Sequence, residues 1–455
     1  MRSHTIDLTT GPIGKKLLRF AMPLVITNLL QHLYQAADNA VVGQFAGSSD
    51  LAAVGATSSA TLLILNIIFG LAIGANIVNA NLRGAGKFKE LRKSLHTTIA
   101  LSIVGGVLVS IAGQFLCRPL LEMMKCPETI IDKSVLYMRI IFCGTPATMV
   151  YTFGSGILRT YGDSKRPMFI MALSGLLNVV LNLIFVICFH MTVDGVALAT
   201  IISKYMSAIW VVIILFSPKD EFKLKVKEIK LHKQQALNII KVGIPCGINS
   251  VVFSLSNTIV QTGINGFGAV VVAGGVASNN VTSLLYAVLS AFYSASVSIV
   301  GQCYGAGKYK RIDGVLIRGC MICCCFTLLA ALLISSFPGV FIGIFNRDAD
   351  VIAVGSQKLI IMSWSYILAG ISEICIGVLR GIRKAAVPTT INIVCVCVLR
   401  IAWVLFISPL SPNDPMLLYW CYPVSYICSA SALVIYYLIC RRQLFVQKAS
   451  PVTAK

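Results

Sequence analysis

Long apolar segments, each of about 20 residues, recur from one end of this 455-residue chain to the other. A segment of that length is what an α-helix needs to cross the hydrocarbon core of a membrane. The chain as a whole is 57% hydrophobic and only 12% charged, and a water-soluble protein of this size needs more charge at its surface. The sequence therefore predicts an all-α polytopic membrane protein.

Twelve membrane-spanning helices are predicted from these segments. Their bounds are 17–44, 52–80, 95–116, 134–158, 167–189, 194–216, 236–263, 271–300, 319–341, 354–379, 388–407 and 416–439. An even number of spans leaves both ends of the chain on the same side of the membrane.

The positive charges are distributed unevenly around the predicted spans. The net charge is +21, and 30 of the 38 Lys and Arg residues fall at the termini and in alternate loops. The opposite loops are assigned only Arg118, Lys125, Lys133, Arg347 and Lys358. Because positive residues accumulate on the cytoplasmic side, both termini are predicted to be cytoplasmic, in the cell membrane. The excess of positive charge is then explained by the orientation of the chain in the membrane, which anionic lipid headgroups reinforce. Nucleic-acid binding is not expected.

The 16 cysteines lie almost entirely within the predicted spans. The densest group is Cys320, Cys323, Cys324 and Cys325, which has a CxxC spacing but no nearby histidine. Because a metal site needs converging ligands with histidine or carboxylate support, the group is interpreted as small apolar residues between packed helices. No structural metal and no cofactor are expected.

The chain also repeats itself at a nearly constant offset of 221 or 222 residues. Three separated motifs recur: Pro23 aligns with Pro245, "GAGKFK" at 84–89 with "GAGKYK" at 305–310, and "GILRTYGDSKRP" at 156–167 with "GVLRGIRKAAVP" at 377–388. Chance rarely keeps one offset through three motifs, so the sequence indicates an internal duplication.

The duplication predicts four regions: an N-terminal six-helix half (1–216), a cytoplasmic connector (217–235), a C-terminal six-helix half (236–442) and a cytoplasmic tail (443–455). Six spans return the chain to the same side, so the halves are parallel repeats. Parallel halves around a central cleft suit alternating access in transporters. A channel or a membrane-embedded enzyme can also be duplicated, so the repeat favours transport without proving it.

Several motifs carry a family resemblance over nearly the whole chain, from about Gly11 to Arg442. They are "GPIGKKLLRFAMPL", the Asp38-containing first helix that runs into "LAAVG", the two "GAGK" loops and the two "LR" loops. Together they resemble the multidrug and toxic compound extrusion (MATE) family, in its prokaryotic branch. The resemblance implies a V-shaped twelve-helix antiporter that exports organic cations in exchange for protons or sodium.

Asp38 is a carboxylate inside the first predicted span. It shares a helical face with Asn28, Gln31 and Gln35, and Tyr34 lies one turn before it. A polar stripe in a membrane helix must face protein or water, because lipid offers it no partner. Amides alone would fit a stripe that only joins helices, but a carboxylate is costly there and indicates function.

The chemistry expected at Asp38 is cation exchange. Burial favours the neutral form of a carboxyl group, so Asp38 can exchange protons; with further oxygen ligands, such as the amide of Asn178, it can instead bind sodium. The family's acid on the first helix matches Asp38. Many MATE proteins have an aspartate where this chain has Asn182, so a two-carboxylate proton relay is in doubt here. Asn178 matches the family motif and can hydrogen-bond Asp38 or offer its oxygen to an ion.

Lys204 falls near the middle of the sixth predicted span. Two interpretations stay open. Its ammonium group can extend to the membrane interface, or it can line the cleft and pair with Asp38, which would favour the charged carboxylate and weaken a proton-carrier role.

The second half has Val260 where the first half has Asp38. Its seventh span carries a neutral polar stripe that includes Asn257 and Gln261, and its acid is Glu373 in the tenth span. Arg400, in the eleventh span, lies at a similar depth. Burying two charges without counter-charges would cost too much free energy, so Glu373 and Arg400 are expected to form an ion pair. The alternative is a second cation site at Glu373.

The function predicted from these features is a secondary active antiporter that exports organic cations, acts as a monomer and is not an enzyme. One rival is a flippase for lipid-linked precursors, which needs a strongly cationic cleft to hold a pyrophosphate. The intramembrane charges Arg139, Lys204 and Arg400 are nearly balanced by Asp38 and Glu373. The other rival, a membrane-embedded enzyme, lacks a metal or nucleophile constellation. Small cationic or amphipathic substrates and membrane lipids are the expected partners.

Overall fold

The computed structural model describes residues 5–46, 48–124, 126–217, 224–411 and 414–449. Lys125, the first part of the predicted connector and the end of the predicted tail lie outside these ranges. Within them, all regular secondary structure is helical.

The α-helices follow one another in chain order. They are α1 (Ile13–Val41), α2 (Ser48–Gly84), α3 (Phe88–Met123), α4 (Glu128–Cys143), α5 (Thr145–Thr160), α6 (Lys165–Leu183), α7 (Val193–Leu215), α8 (Lys233–Asn265), α9 (Ala269–Gly305), α10 (Tyr309–Ser336), α11 (Pro338–Gly343), α12 (Ala349–Gly381), α13 (Ala386–Asn392), α14 (Leu399–Ala402), α15 (Pro415–Tyr419) and α16 (Cys421–Ala449). Short π-helical stretches follow α1 and α6 and connect α13 to α14.

Ten helical segments of the described residues are long and apolar enough to cross a membrane, or eleven if α4 and α5 together form one span. These two helices meet at Gly144 with a bend of 43°. Twelve spans were expected; the first of them falls on α1, which has 29 residues and is outside this count. The polar stripe that ends in Asp38 lowers the hydropathy of α1. The predicted all-helical membrane fold is confirmed.

The chain forms two compact units. The first contains residues 1–7 and 26–247, and the second contains residues 8–25 and 248–455. Compared with the predicted halves, two segments are therefore exchanged: the N-terminal part of α1 belongs to the second unit, and the N-terminal part of α8 belongs to the first. Pro23 and Pro245, the repeat-related prolines inside these helices, lie within three residues of the two points of division.

Glycines let α2 and α8 touch backbone to backbone within the first unit. A Cβ atom on Gly70 would lie 2.1 Å from the backbone nitrogen of Gly247, and one on Gly74 would lie 2.6 Å from the Cα atom of Gly243. Small residues at helix crossings allow this approach in membranes, where close packing replaces the hydrophobic effect as the force between helices. The crossing joins the N-terminal part of α8 to the first unit.

The described part of the connector forms hydrogen bonds with the start of α3. Glu228 accepts a hydrogen bond from Arg92 at 2.7 Å, and the backbone N–H of Lys225 donates to Nε2 of buried His96 at 3.2 Å. The backbone N–H of His232 donates to Thr97 Oγ1 at 3.2 Å. The basic connector is thus an ordered part of the first unit over residues 224–232.

Candidate functional site

Asp38 lies in the last turn of α1. Its carboxylate accepts a close hydrogen bond from Nδ2 of Asn182, near the end of α6. Asn182 is fully buried, and its Oδ1 atom has no hydrogen-bond partner among the described residues. The sequence analysis named Asn178 as a hydrogen-bond partner for Asp38. In the structure the partner is Asn182, one turn further along the same face of α6.

Asn178 is also buried, one turn before Asn182 on α6. Its Nδ2 atom lies 3.4 Å from Thr200 Oγ1 on α7, and its Oδ1 atom has no partner among the described residues. Thr200 was missed by the sequence analysis. The signal was its position four residues before Lys204, on the same face of the helix.

Tyr34 holds α1 against α6 beside this site. Its hydroxyl donates to the carbonyl of Ala172 at 3.0 Å. A Cβ atom on Gly175 would lie 1.7 Å from a carbon of the Tyr34 ring, so only glycine fits under the ring. Gln35, the neighbour of Tyr34 in the predicted stripe, has an exposed side chain.

Lys204 and Asp38 are within range of an attractive electrostatic interaction. The structure shows no direct ion pair between them in the part of the chain that it describes. Lys204 therefore lies near Asp38, but the pairing that one of the two interpretations predicts is not formed among the described residues. Tyr137 of α4 lies within electrostatic range of Asp38 as well.

The first unit therefore places the Asp38 carboxylate against Asn182 of α6, and one turn away on α6 the amide of Asn178 lies against Thr200 of α7. Buried polar atoms are almost always hydrogen-bonded, yet the amide oxygens of Asn178 and Asn182 lack donors among the described residues. Hard cations such as sodium prefer carboxylate, amide and hydroxyl oxygens as ligands. The same carboxylate can also take up a proton, so the site (Asp38, Asn178, Asn182 and Thr200) can exchange small cations.

Arg400 does not pair with Glu373, so the predicted ion pair is wrong. The guanidinium group donates to Ser425 Oγ at 3.0 Å and to Asn257 Oδ1 at 3.1 Å. Glu373 instead accepts a hydrogen bond from Tyr286 at 3.4 Å. Arg400 therefore faces α8 and α16, while Glu373 faces α9.

The two amides of the neutral stripe predicted on α8 have different partners. Asn257 contacts Arg400, whereas Gln261 donates to Asn265 Oδ1 in its own helix at 3.0 Å. Within the described residues these contacts all lie inside the second unit.

Lys358 was counted with the loops at the opposite side of the membrane although it falls inside the predicted span 354–379, and the structure shows that the count is wrong and the span is right. It lies more than two turns inside α12 and is fully buried. Its ammonium group donates to the carbonyl of Gly275 at 3.1 Å and to Asn279 Oδ1 at 2.9 Å. The apolar residues on both sides of Lys358 in "IAVGSQKLIIMSW" were the signal that it belongs to the helix interior.

The chain was then compared with known proteins. The MatE family model matches residues 23–184 and 245–405, once in each half of the duplication. A probable multidrug resistance protein, YpnP of Bacillus subtilis, is 27% identical over 394 residues, which cover 87% of this chain and 88% of that protein. A FAD transporter of Shewanella oneidensis is 22% identical over 390 residues, 85% of this chain and 86% of that one.

A solved structure has the same fold. It is described as the outward-facing conformation of a multidrug resistance MATE family transporter, and it matches with a TM-score of 0.88 at 21% identity, over 96% of this chain and 98% of that one. The two family matches cover more than half of the sequence. The chain therefore belongs to the MatE family and is a multi-pass membrane transporter, not an enzyme.

Proposed function

We propose that this transporter is a secondary active antiporter that exports organic cations from the cell. The observation that carries the proposal is the Asp38 site, a carboxylate in a membrane helix that is bonded to Asn182, with the buried amide of Asn178 one turn away on α6. An ion and a cationic substrate compete for one negative charge, and this competition couples the two movements. The name of the Bacillus subtilis relative, a probable multidrug resistance protein, supports the substrate class.

We further propose sodium as the coupling ion. A proton needs only the carboxylate, whereas sodium needs several oxygen ligands. Asn182 at Asp38, and Asn178 with Thr200 one turn away, carry such oxygens, and Asn182 replaces the second carboxylate that many MATE proteins have. Two amide oxygens without donors among the described residues fit a cation better than a proton relay.

The test uses the wild-type chain in proteoliposomes loaded with a fluorescent organic cation. We expect an imposed sodium gradient alone to drive dye movement, and a proton gradient alone to leave it at the level of protein-free vesicles. Movement driven only by protons would overturn the choice of sodium but keep antiport. No response to either gradient would overturn antiport itself.

The lipid-linked precursor flippase remains the weaker candidate. Lys358 is a further positive charge buried inside a helix, which at first favours an anionic substrate. Lys358 and Arg400 are both fully buried, however, so neither presents its charge on a surface that can hold a pyrophosphate. Export of organic cations by a monomer in the cell membrane stays the preferred function.

Both termini are proposed to be cytoplasmic because the positive residues concentrate there. Single cysteines at Val226 in the connector and at Arg347 before α12 test this. In intact cells, an impermeant maleimide should give an additional gel shift, relative to the parent chain, for Arg347→Cys only. In inverted vesicles it should do so for Val226→Cys only. The reverse pattern would show that the orientation is inverted.

A further inference from the structure

His96 lies near the start of α3 and is almost completely buried, with a side chain that is only 2% exposed. Both of its ring nitrogens contact the backbone. Nδ1 lies 2.7 Å from the carbonyl oxygen of Arg92, and the backbone N–H of Lys225 in the connector donates to Nε2 at 3.2 Å. The proposed transport function assigns no role to this titratable group.

These two contacts determine where the proton of the His96 ring lies. A carbonyl oxygen can only accept a hydrogen bond, so Nδ1 must carry a hydrogen. A backbone N–H can only donate, so Nε2 must be without one. The connector is therefore held by neutral His96 in a single tautomer. Protonation would place a second N–H group directly against the N–H of Lys225, and that hydrogen bond would be lost.

A partner for a charged His96 ring already lies beside it. One carboxylate oxygen of Glu228 is 3.9 Å from Nε2, and the other accepts a hydrogen bond from Arg92 at 2.7 Å. The Glu228 side chain is 41% exposed, so solvent reaches this side of the contact. A protonated ring can thus exchange the backbone N–H of Lys225 for the carboxylate of Glu228.

The other polar groups around His96 are engaged elsewhere. The ring of His232 contacts the hydroxyl of Thr97 at 3.2 Å, and from α2 the neutral Asn79 donates to Thr98 at 3.2 Å. Within the described ranges, no charged side chain besides Glu228 forms an ion pair with His96. The charge of this ring is therefore answered by Glu228 of the connector.

We propose that His96 is a pH-sensitive anchor for the connector. Neutral His96 holds the backbone at Lys225, whereas acidification turns Nε2–H toward the carboxylate of Glu228 and releases Lys225 from α3. Histidine is the side chain whose charge ordinarily changes between about pH 5 and 8. Acidity on the connector's side of the membrane thereby changes how the connector is attached to the first unit.

The experiment measures amide hydrogen exchange at Lys225 in the purified full-length protein, from about pH 8 to about pH 5. Rates are expressed relative to an unstructured peptide at the same pH, which removes the pH dependence of the exchange chemistry itself. We expect protection at Lys225 to fall about five- to tenfold on acidification, as for the loss of one hydrogen bond, while the amides within α3 keep theirs. Constant protection at Lys225 in the wild-type protein would overturn the proposal without any variant.

Variants then identify the group that titrates. His96→Gln cannot take up a proton, but its side-chain oxygen can accept from Lys225, so protection should no longer depend on pH. His232→Gln removes the neighbouring histidine and should keep the wild-type pH dependence. Glu228→Gln removes the counter-charge of protonated His96 and should move the loss of protection to lower pH. A pH-dependent loss that persists in His96→Gln, or an unchanged midpoint in Glu228→Gln, would overturn the exchange of partners.

Discussion

Asp38→Asn is expected to lower ion-driven export of a cationic dye from proteoliposomes to the level of protein-free vesicles. The substitution keeps the size of the side chain and leaves an oxygen that can still accept the hydrogen bond from Asn182. It removes the negative charge for which the coupling ion and the substrate compete. Expression and Tm should therefore stay close to the wild-type values, while coupled transport is lost.

Asp194→Asn is the matched control. Asp194 is also an acid of the first unit, and its carboxylate accepts hydrogen bonds from the backbone N–H and hydroxyl of Thr192. Among the described residues it makes no hydrogen bond or ion pair with the Asp38 site. This variant should export dye at the wild-type rate. Dye export by Asp38→Asn at the wild-type rate under the same gradient would show that Asp38 is not the coupling residue.

Gly70→Ala is expected to give the largest loss of stability among single methyl additions in α2. The new Cβ atom would lie 2.1 Å from the backbone nitrogen and 2.3 Å from the Cα atom of Gly247. A helix backbone cannot move aside as a flexible side chain does, so α2 and α8 must separate. Overpacking of this kind costs about 1–3 kcal/mol and sometimes more, which thermal unfolding in detergent would measure as a lower Tm.

Gly55→Ala provides the comparison within the same helix. A Cβ atom there would meet nothing within 4 Å, and replacing a helical glycine by alanine stabilises by about 0.4–1 kcal/mol where the backbone permits it. We expect an unchanged or slightly higher Tm. Equal Tm values for Gly70→Ala and Gly55→Ala would mean that the two helices do not touch as described.

The membrane class and the duplication could be predicted from the sequence because they depend on properties that each residue carries by itself. Apolarity over about 20 residues selects a bilayer span wherever its neighbours lie. Asp38 stood out for the same reason, since a carboxylate in such a span is costly in any arrangement.

The partners of the buried charges could not be predicted, because a sequence gives the depth of a residue along a span but not the direction in which the helix faces. Asn178 and Asn182 differ by about 6 Å along α6, and only packing against α1 decides which of them meets Asp38. Glu373 and Arg400 were expected at similar depths, yet in the structure they contact different neighbours. Lys358 was counted with a loop, although the predicted span 354–379 included it, because it lies near the end of that span.

The exchange of helix segments between the two units affects the order in which the protein can fold during synthesis. The first unit includes residues up to 247, so it cannot be completed until the ribosome has passed the connector and produced the start of α8. Residues 8–25 are synthesised early, but they belong to a unit whose remaining residues begin at 248. They must therefore wait for the rest of that unit. A chain that stops before α8 would leave the backbone surface at Gly70 and Gly74 uncovered. Neither predicted half therefore contains all the residues of one complete unit.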